Sequence, residues 1–215
     1  MNKYYVMNKN CVHKFKKLIL LFTLLIQSSC GYLIQPDVKS GMIHLEKGSY
    51  KIDPQHASVL FKINHMGMST FVGRFNQIDA TLEFDPHNIA NAKLSAVINV
   101  ASIDVNNKEL EESLRGSSWF DVDKFPQAFF TTTSVQLLDE KHAQFNGALT
   151  LHGVTRPILI DVVFNGGADN LLTGHYTLGF SAASTFKRST FGIDYLVPAI
   201  ADEVDIEVFA EFQKQ

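Results

Sequence analysis

Apolar and polar residues alternate with a period of two along most of the chain from Ser49 onward. Turn residues separate the alternating runs, which is typical of β-strands with one buried and one solvated face. The apolar positions of the clearest runs are Val59, Phe61 and Ile63; Ile78, Ala80, Leu82 and Phe84; Leu94, Ala96, Ile98 and Val100; Phe145, Gly147, Leu149 and Leu151; Ile158, Ile160, Val162 and Phe164; Tyr176, Leu178 and Phe180 within a run from Leu172 to Ala182; and Val204, Ile206, Val208 and Ala210. The pattern predicts about eight strands.

The strands need a shared hydrophobic interior, because each has only one apolar face. One segment of this region, residues 107–116, has a helical pattern: an Asn can cap its start, Leu110 and Leu114 share a face, and Gly116 ends it. A single short helix cannot cover such a sheet, so we expect the sheet to close on itself. The sequence therefore predicts an all-β fold, an eight-stranded antiparallel barrel whose mouth is capped by the short helix.

The interior of such a barrel is either filled by its own side chains or wide enough to hold one small elongated ligand. The 17 Phe residues of the chain favour a filled interior, whereas small residues at the inward positions Ala80, Ala96 and Gly147 favour open space. The alternation by itself leaves both interpretations open.

The N-terminus has a different pattern. Five lysines precede a nine-residue run from Leu18 to Ile26 that is apolar except for Thr23, and the small polar residues QSSC follow it. This basic, apolar and polar order is typical of a secretory signal peptide, and a run of nine residues is far shorter than the roughly 20 of a membrane-spanning helix. We predict a signal peptide over residues 1–30, a linker over 31–48 and a barrel domain over 49–215, and we expect the protein in the periplasm or secreted.

Cys30 lies where a lipoprotein signal would be cleaved and acylated, but Gln27 occupies the position three before it, where an aliphatic residue is usual. The sequence leaves open whether Cys30 is lipidated and tethers the protein to a membrane, facing the periplasm. The other cysteine, Cys11, lies within the predicted leader. A disulfide or thiol chemistry is therefore not expected in the barrel.

Composition and charge limit the partners. A hydrophobic content of 46% with 19% charged residues is that of a globular protein. Without the five leader lysines the chain has 14 basic and 22 acidic residues, a net charge of −8. Such a surface repels phosphate backbones, so nucleic acid is not an expected partner.

No catalytic or metal-binding motif is evident. None of the histidines after the leader has the HxH or HExxH spacing of a metal site. These histidines are His44, His56, His65, His87, His142, His152 and His175. The segment LHGVTRP, residues 151–157, contains His, Thr and Arg, but it has the pattern of a turn between two strands. We predict that the protein is not an enzyme and holds no metal or cofactor.

Several blocks of the sequence resemble one known family, in the right order: YKIDPQHASVLFKINHMG, VGRFNQIDATLEFD, SIDVNN, LRGSSWFDVDKFPQAFFTTTSV, LTLHGVTRPILIDVVF and EVDIEVFAEF. From Tyr50 to about Phe212 the chain resembles the YceI-like family of polyisoprenoid-binding proteins, which are lipocalin-like barrels of the periplasm. The resemblance implies a hydrophobic tunnel in the barrel that binds an isoprenoid or a similar long-chain amphiphile, for carriage or storage in the cell envelope. The alternative is an envelope stress or interaction module that binds no lipid and has a solid barrel core.

Inward alternation together with this resemblance predicts the residues that line the lumen. They are Val59, Phe61, Ile63, His65, Phe71, Phe75, Leu82, Phe84, Ile98, Trp119, Phe120, Leu149, Ile160, Phe164, Tyr176, Phe180 and Phe191. His65 is expected at a strand end, where it either contacts the ligand or is a hydrogen-bonded histidine at the mouth. Phe129 replaces a smaller polar residue of the family pattern, which leaves the orientation of that strand open. Whether two copies associate as a homodimer is also left open.

Overall fold

The structure, a computed structural model, describes residues 35–215. The chain divides into a unit over residues 1–37 and a compact unit over residues 38–215. The second unit contains all the strands described below. The predicted signal peptide and Cys30 lie outside the described residues, so both stay predictions.

Ten strand segments make up the second unit. They are β1 (Gly48–His65), β2 (Ser69–Phe75), β3 (Ile78–Phe84), β4 (Lys93–Asn99), β5 (Ile103–Asp104), β6 (Gln127–Leu137), β7 (His142–Leu151), β8 (Val154–Asn170), β9 (His175–Lys187) and β10 (Ile200–Lys214). One α-helix, α1 (Lys108–Arg115), lies between β5 and β6. Short 3₁₀ helices are formed by Met42–His44, Ile89–Asn91, Val100–Ser102 and Arg188–Phe191.

The sheet closes because β1 pairs antiparallel with β10, the last strand of the chain. The start of β1 pairs with β3 and its end pairs with β2, so β2 and β3 together form one side of β1. β5 continues the line of β4 beside β2. The ten segments therefore occupy eight positions around the barrel, and the predicted eight-stranded antiparallel barrel is confirmed.

The structure settles the orientation of β6, which the sequence left open. Phe130 is buried and faces the interior, whereas Phe129 is 43% exposed on the outer wall. The ring of Phe130 lies over Gly147 of β7, where a Cβ atom would overlap it. Gly147 therefore makes room for the Phe130 ring and does not open free space in the lumen.

The short helix α1 forms as predicted. The side chain of Asn107 caps it by accepting a hydrogen bond from the N–H of Leu110 at 3.1 Å, and the helix ends at Arg115 before Gly116. Leu110 and Leu114 turn toward the barrel interior. Within residues 35–215 there is no helix that combines the length and the apolar character needed to cross a bilayer.

One end of the barrel is filled by packed side chains. Tyr50, Phe84, Phe164 and Leu178 are each at most 3% exposed in this end. Met42 and Leu45, which the sequence assigned to a linker, are buried in the same cluster. The N–H of Lys39 also donates to the carbonyl oxygen of Gly167 at 2.9 Å. This part of the expected linker therefore belongs to the barrel and helps to close it.

Two turns differ in detail from the sequence prediction. β9 begins at His175, so Leu171 and Leu172 lie in the exposed turn before it, although the alternation placed Leu172 in the strand. The β7–β8 turn consists of His152 and Gly153, both with positive φ, of 50° and 75°. This is the backbone of a tight two-residue hairpin, and it favours glycine at the second position.

A bulge in β1 lies between Ile52 and Ala57, where the pairing with β10 shifts register. Its Asp53 carboxylate accepts hydrogen bonds of 2.8 to 2.9 Å from the Gln55 N–H, the His56 ring and the Gln213 amide. The bond from His56 is the main reason why the pKa of Asp53 lies below its ordinary value of 3.8. The same bond raises the pKa of His56 above 6.5, against a smaller opposing effect of burial.

We expect His56→Gln to destabilise the barrel more at about pH 5 than at about pH 8.5. A raised His56 pKa contributes stability that is complete below pH 6.5 and is lost as the pH rises through the pKa of the folded state. The lowered Asp53 pKa contributes stability above pH 3.8 that is lost on acidification. The His56 side chain is 53% exposed, so the effect stays below about 1 kcal/mol. Urea unfolding of both proteins at the two pH values measures it, and equal differences would contradict the prediction.

Candidate functional site

A cavity of about 450 Å³ occupies the barrel interior away from the packed end. It extends along β10 from Phe212, near the packed end, to Ile200 at the opposite end. Leu110 of α1 and Leu196 of the loop before β10 line it at that opposite end, which we call the mouth. His65, Ser184 and Arg188 are the ionisable or hydroxyl side chains among its lining residues. The remainder of the lining is aliphatic or aromatic, so the cavity suits an apolar chain.

Side chains on the inner wall show that this part of the barrel is open. Leu149, Ile160, Ile206 and Val208 face the interior, yet each keeps intermediate exposure. Inward-facing apolar residues of a solid core are fully buried, as Phe164 and Leu178 are in the packed end. The barrel therefore has one end filled by side chains and an open cavity in the remainder of its interior, and each of the two interpretations left open by the sequence describes one of these parts.

Most residues predicted to line the lumen do line this cavity. They are Val59, Phe61, Ile63, His65, Phe71, Phe75, Leu82, Ile98, Trp119, Phe120, Leu149, Ile160 and Phe180. Eight strand and loop segments far apart in sequence thus meet around one space, because the inward parity of these strands was correctly assigned. Their contact with a ligand stays a prediction.

Four predicted lumen residues do not border the cavity, and their assignment is corrected. Phe84, Phe164 and Tyr176 point inward, but they lie in the packed end, where Phe84 and Phe164 contact each other with ring centroids 5.8 Å apart. Phe191 belongs to a 3₁₀ helix and packs against Phe186 at 5.3 Å. Period-two alternation gives the direction of a side chain but not its depth along the barrel, which explains the first three errors.

Several lining residues were missing from the predicted site. Ile206 and Val208 belong to a strand whose alternation was recognised, so the inward parity of β10 would have identified them. Arg188, Ile193 and Leu196 lie outside the strands, in the segment between β9 and β10. No periodic signal marks residues of this kind, and only the tertiary structure brings them to the mouth.

Arg188 is a buried cation at the mouth, with 4% of its surface exposed. Its guanidinium donates four hydrogen bonds of 2.9 to 3.0 Å to main-chain carbonyl oxygens, those of Ile193, Tyr195, Ile200 and Ala201. Burial lowers the pKa of Arg188, while Asp202 and Asp194 oppose that change. An arginine nevertheless stays charged in proteins. Arg188 therefore fastens the loop that forms one side of the mouth.

Trp119 completes this side of the mouth. The Arg188 guanidinium lies over its ring at 5.4 Å, a cation–π geometry. The ring also meets Tyr195 edge to face at 5.3 Å. Both Trp119 and Arg188 line the cavity, so the mouth has an aromatic wall and a positive charge beside it.

His65 lies on the other side of β10, paired with Ile200 and lining the cavity. Within residues 35–215, its ring makes no hydrogen bond to another protein group. Its ring nitrogens are therefore free to contact a ligand or water. This placement agrees with the predicted position at a strand end beside the mouth.

The described residues offer no grouping suited to metal binding. Within residues 35–215, three or more His, Cys, Asp or Glu side chains do not come together in a way that would hold a metal ion. The expectation that the protein uses no metal and is not an enzyme stays a prediction.

Comparisons with known proteins agree on one family. A family model described as "YceI-like domain" matches residues 50–212. Protein YceI of Shigella flexneri is 37% identical over 168 residues, which cover 77% of this chain and 87% of that protein.

Two solved structures share the fold. BcnA of Burkholderia cenocepacia has a TM-score of 0.68 and 24% identity, covering 74% of this chain and 98% of that one. A polyisoprenoid binding domain from Saccharophagus degradans, implicated in plant cell wall breakdown, has a TM-score of 0.62 and 12% identity, covering 79% of this chain and 100% of that one. At these identities the likeness concerns the fold alone.

Proposed function

Because this chain belongs to the YceI-like family, we propose that its barrel binds the tail of an isoprenoid or a similar long-chain amphiphile and carries or stores it in the cell envelope. The observation that carries the proposal is the shape and lining of the cavity. It is apolar along its length, closed by packed side chains at one end and bordered by polar groups at the other. Such a cavity accepts an apolar chain lengthwise and leaves a head group at the mouth.

The energetics of the tail favour a carrier. Each methylene removed from water contributes about 0.8 kcal/mol, so a tail of about forty carbons corresponds to roughly 30 kcal/mol of transfer free energy. A lumen that recovers a part of this still binds tightly after the cost of ordering the tail. Selectivity for the head group is not needed for affinity.

An isoprenoid is the preferred tail because the Saccharophagus domain, which shares this fold, is described as polyisoprenoid-binding. The aromatic and branched side chains of the wall, such as Phe61, Phe180 and Ile206, also suit a branched, unsaturated chain. The proposal therefore names a polyprenyl tail first and other long acyl chains second.

The proposed place of action is outside the cytoplasm, in the periplasm or secreted. It rests on the basic and apolar pattern of the first 30 residues. Acylation of Cys30 would hold the carrier at a membrane, and an unacylated form would diffuse freely. Both forms are compatible with carriage of a lipid.

The alternative function, an interaction module with a solid core, has less support. It requires the barrel's own side chains to fill the interior, whereas the inner wall residues Leu149, Ile160, Ile206 and Val208 remain partly exposed around the cavity.

The proposal is tested with a pair of neighbouring positions on β1. Phe61 lines the cavity and contacts Phe75 with ring centroids 5.8 Å apart, whereas Lys62 faces outward and bonds Glu207 at 2.7 Å. Phe61→Asn places an amide in the apolar wall, and we expect at least a tenfold loss of affinity for a labelled polyprenol, together with about 1–3 kcal/mol of stability. Uptake from a cyclodextrin dispersion measures the affinity, and thermal melting measures the stability.

Lys62→Asn is the matched control, because it makes the same new side chain one residue away on the opposite face. We expect unchanged uptake and a stability loss below about 1 kcal/mol from the surface ion pair. Equal uptake by folded Phe61→Asn and wild type would place the tail elsewhere. A wild-type protein that takes up neither polyprenol nor fatty acyl chains would refute the proposed function.

A further inference from the structure

Two neighbouring loops expose large apolar side chains at the mouth. We call these side chains the apolar lip: Met66, Met68, Tyr195, Leu196 and Val197. Their exposed fractions are 58%, 75%, 47%, 49% and 37%. Exposed apolar side chains that occur singly are ordinary, but a contiguous group marks a surface that contacts something apolar.

The two loops form one continuous edge. The N–H of Met66 donates to the carbonyl oxygen of Ala199 at 2.9 Å, and His65 pairs with Ile200. The Arg188 guanidinium holds the second loop through the carbonyl oxygens of Ile193 and Tyr195. The lip is therefore a built part of the barrel end, with a fixed position beside the opening.

The lip is continuous with the lumen. Leu196 lines the cavity and is also half exposed, and its neighbours in space His65 and Ile200 line the cavity too. An apolar path therefore leads from the cavity wall onto the outer surface without an intervening charged side chain. Residues 65–73 and 195–201 contain no Asp, Glu, Lys or Arg.

We propose that the apolar lip docks on the surface of a lipid bilayer and places the lumen mouth against the acyl chains. This inference rests on the proposed function, because a tail that passes directly from bilayer to lumen never has to enter water, where its transfer is strongly unfavourable. Methionine, leucine and valine suit the acyl region, and Tyr195, packed on Trp119, suits the boundary with water.

Charge indicates which bilayers are favoured. Residues 35–215 carry 14 basic and 22 acidic side chains, a net charge of −8. Docking therefore depends on apolar insertion and is opposed by an anionic surface, the reverse of a polybasic membrane anchor. The lip binds neutral phosphatidylcholine vesicles better than vesicles rich in phosphatidylglycerol.

The experiment measures vesicle flotation of residues 35–215, which lack Cys30 and so carry no acyl group. The full exported chain is measured beside it, and the difference between the two shows any contribution of an acyl group on Cys30. The residues used for the variant are Met68 and Val197, because both are exposed and neither lines the cavity. We expect Met68→Ser/Val197→Ser to reduce binding of residues 35–215 to phosphatidylcholine vesicles at least tenfold. Leu171→Ser/Leu172→Ser is the matched control, since these leucines together expose more apolar surface than the lip pair, at 67% and 77%, but lie in a turn at the packed end.

Uptake of polyprenol from cyclodextrin separates docking from lumen binding. We expect the lip variant to take up polyprenol as wild type does from cyclodextrin, but at least tenfold more slowly from vesicles. Wild type that fails to float with vesicles, or a lip variant that floats equally well, would overturn the docking proposal. A wild type that is dimeric by analytical ultracentrifugation, with a lip variant that is monomeric, would also overturn it, because a second copy would then cover the lip. Vesicle binding by a wild-type protein that takes up neither polyprenol nor fatty acyl chains would support docking and refute the proposed function instead.

Discussion

Ala96→Phe is expected to abolish uptake of a long polyprenyl tail while the barrel stays folded and at least as stable as wild type. Ala96 lies on the inner wall between Ala80 of β3 and Phe130 of β6, and it lines the cavity. A phenyl group there occupies space that the tail needs. If the new ring keeps only three methylenes of the tail out of the cavity, the binding free energy falls by about 2.4 kcal/mol, which is roughly a fiftyfold loss of affinity.

Stability should not fall, because the new ring enters an existing cavity and buries apolar surface there. Ala182→Phe, on β9 between Val162 and Val208, repeats the test from a second strand in case the first ring meets Phe130. Ser95→Phe is the control, since Ser95 is exposed on the outer face next to Ala96. Polyprenol titration and thermal melting measure both effects. Full uptake by both folded lumen variants would contradict a tail in this cavity.

Arg188→Met is expected to cause the largest loss of stability, about 3 kcal/mol, or roughly 6–12 °C in Tm. The substitution keeps a long apolar stem but removes the donors for the four carbonyl oxygens around the mouth. Buried carbonyl groups without a donor are costly, although removing a desolvated charge offsets part of that cost. Hydrogen exchange should increase most in residues 193–201.

Arg74→Met is the control for loss of an arginine. Arg74 makes two hydrogen bonds to Asp104, but its side chain is 55% exposed, so the expected loss is below about 1 kcal/mol. Arg188→Lys should be intermediate, because one ammonium group has three donors and cannot reproduce the planar fork. Equal melting temperatures for Arg188→Met and Arg74→Met would show that the mouth loop does not depend on Arg188.

Much of the barrel could be predicted from local patterns. Phe61 and Ile63 are inward and Lys62 outward, as the alternation indicates, and the same holds for Leu82 on β3 and Leu149 on β7. The physical reason is that successive side chains of a strand point to opposite faces regardless of what the strand packs against. Asn107 and Gly116 likewise mark the ends of α1, because capping depends on neighbouring residues only.

The candidate site was predicted less completely. Phe84, Phe164 and Phe180 share inward parity, yet Phe180 alone of the three borders the cavity. The other two are buried in a cluster that includes Met42 and Leu45, whose segment has no sustained periodicity in the sequence. How deep the lumen extends thus depends on which non-periodic segment enters the barrel end.

By itself, the sequence determined the closed antiparallel barrel, the inward face of the clearly alternating strands, the capping helix and an acidic surface, because these follow from alternation, capping residues and composition. The tertiary structure alone decided that one end of the interior is solid and that the remainder holds an open cavity. It also placed Arg188 within hydrogen-bonding distance of carbonyl groups 5 to 13 residues away, and it joined the turn at Met66 to the loop at Ala199. Such contacts connect segments that no local pattern relates, since their geometry arises only when the barrel closes.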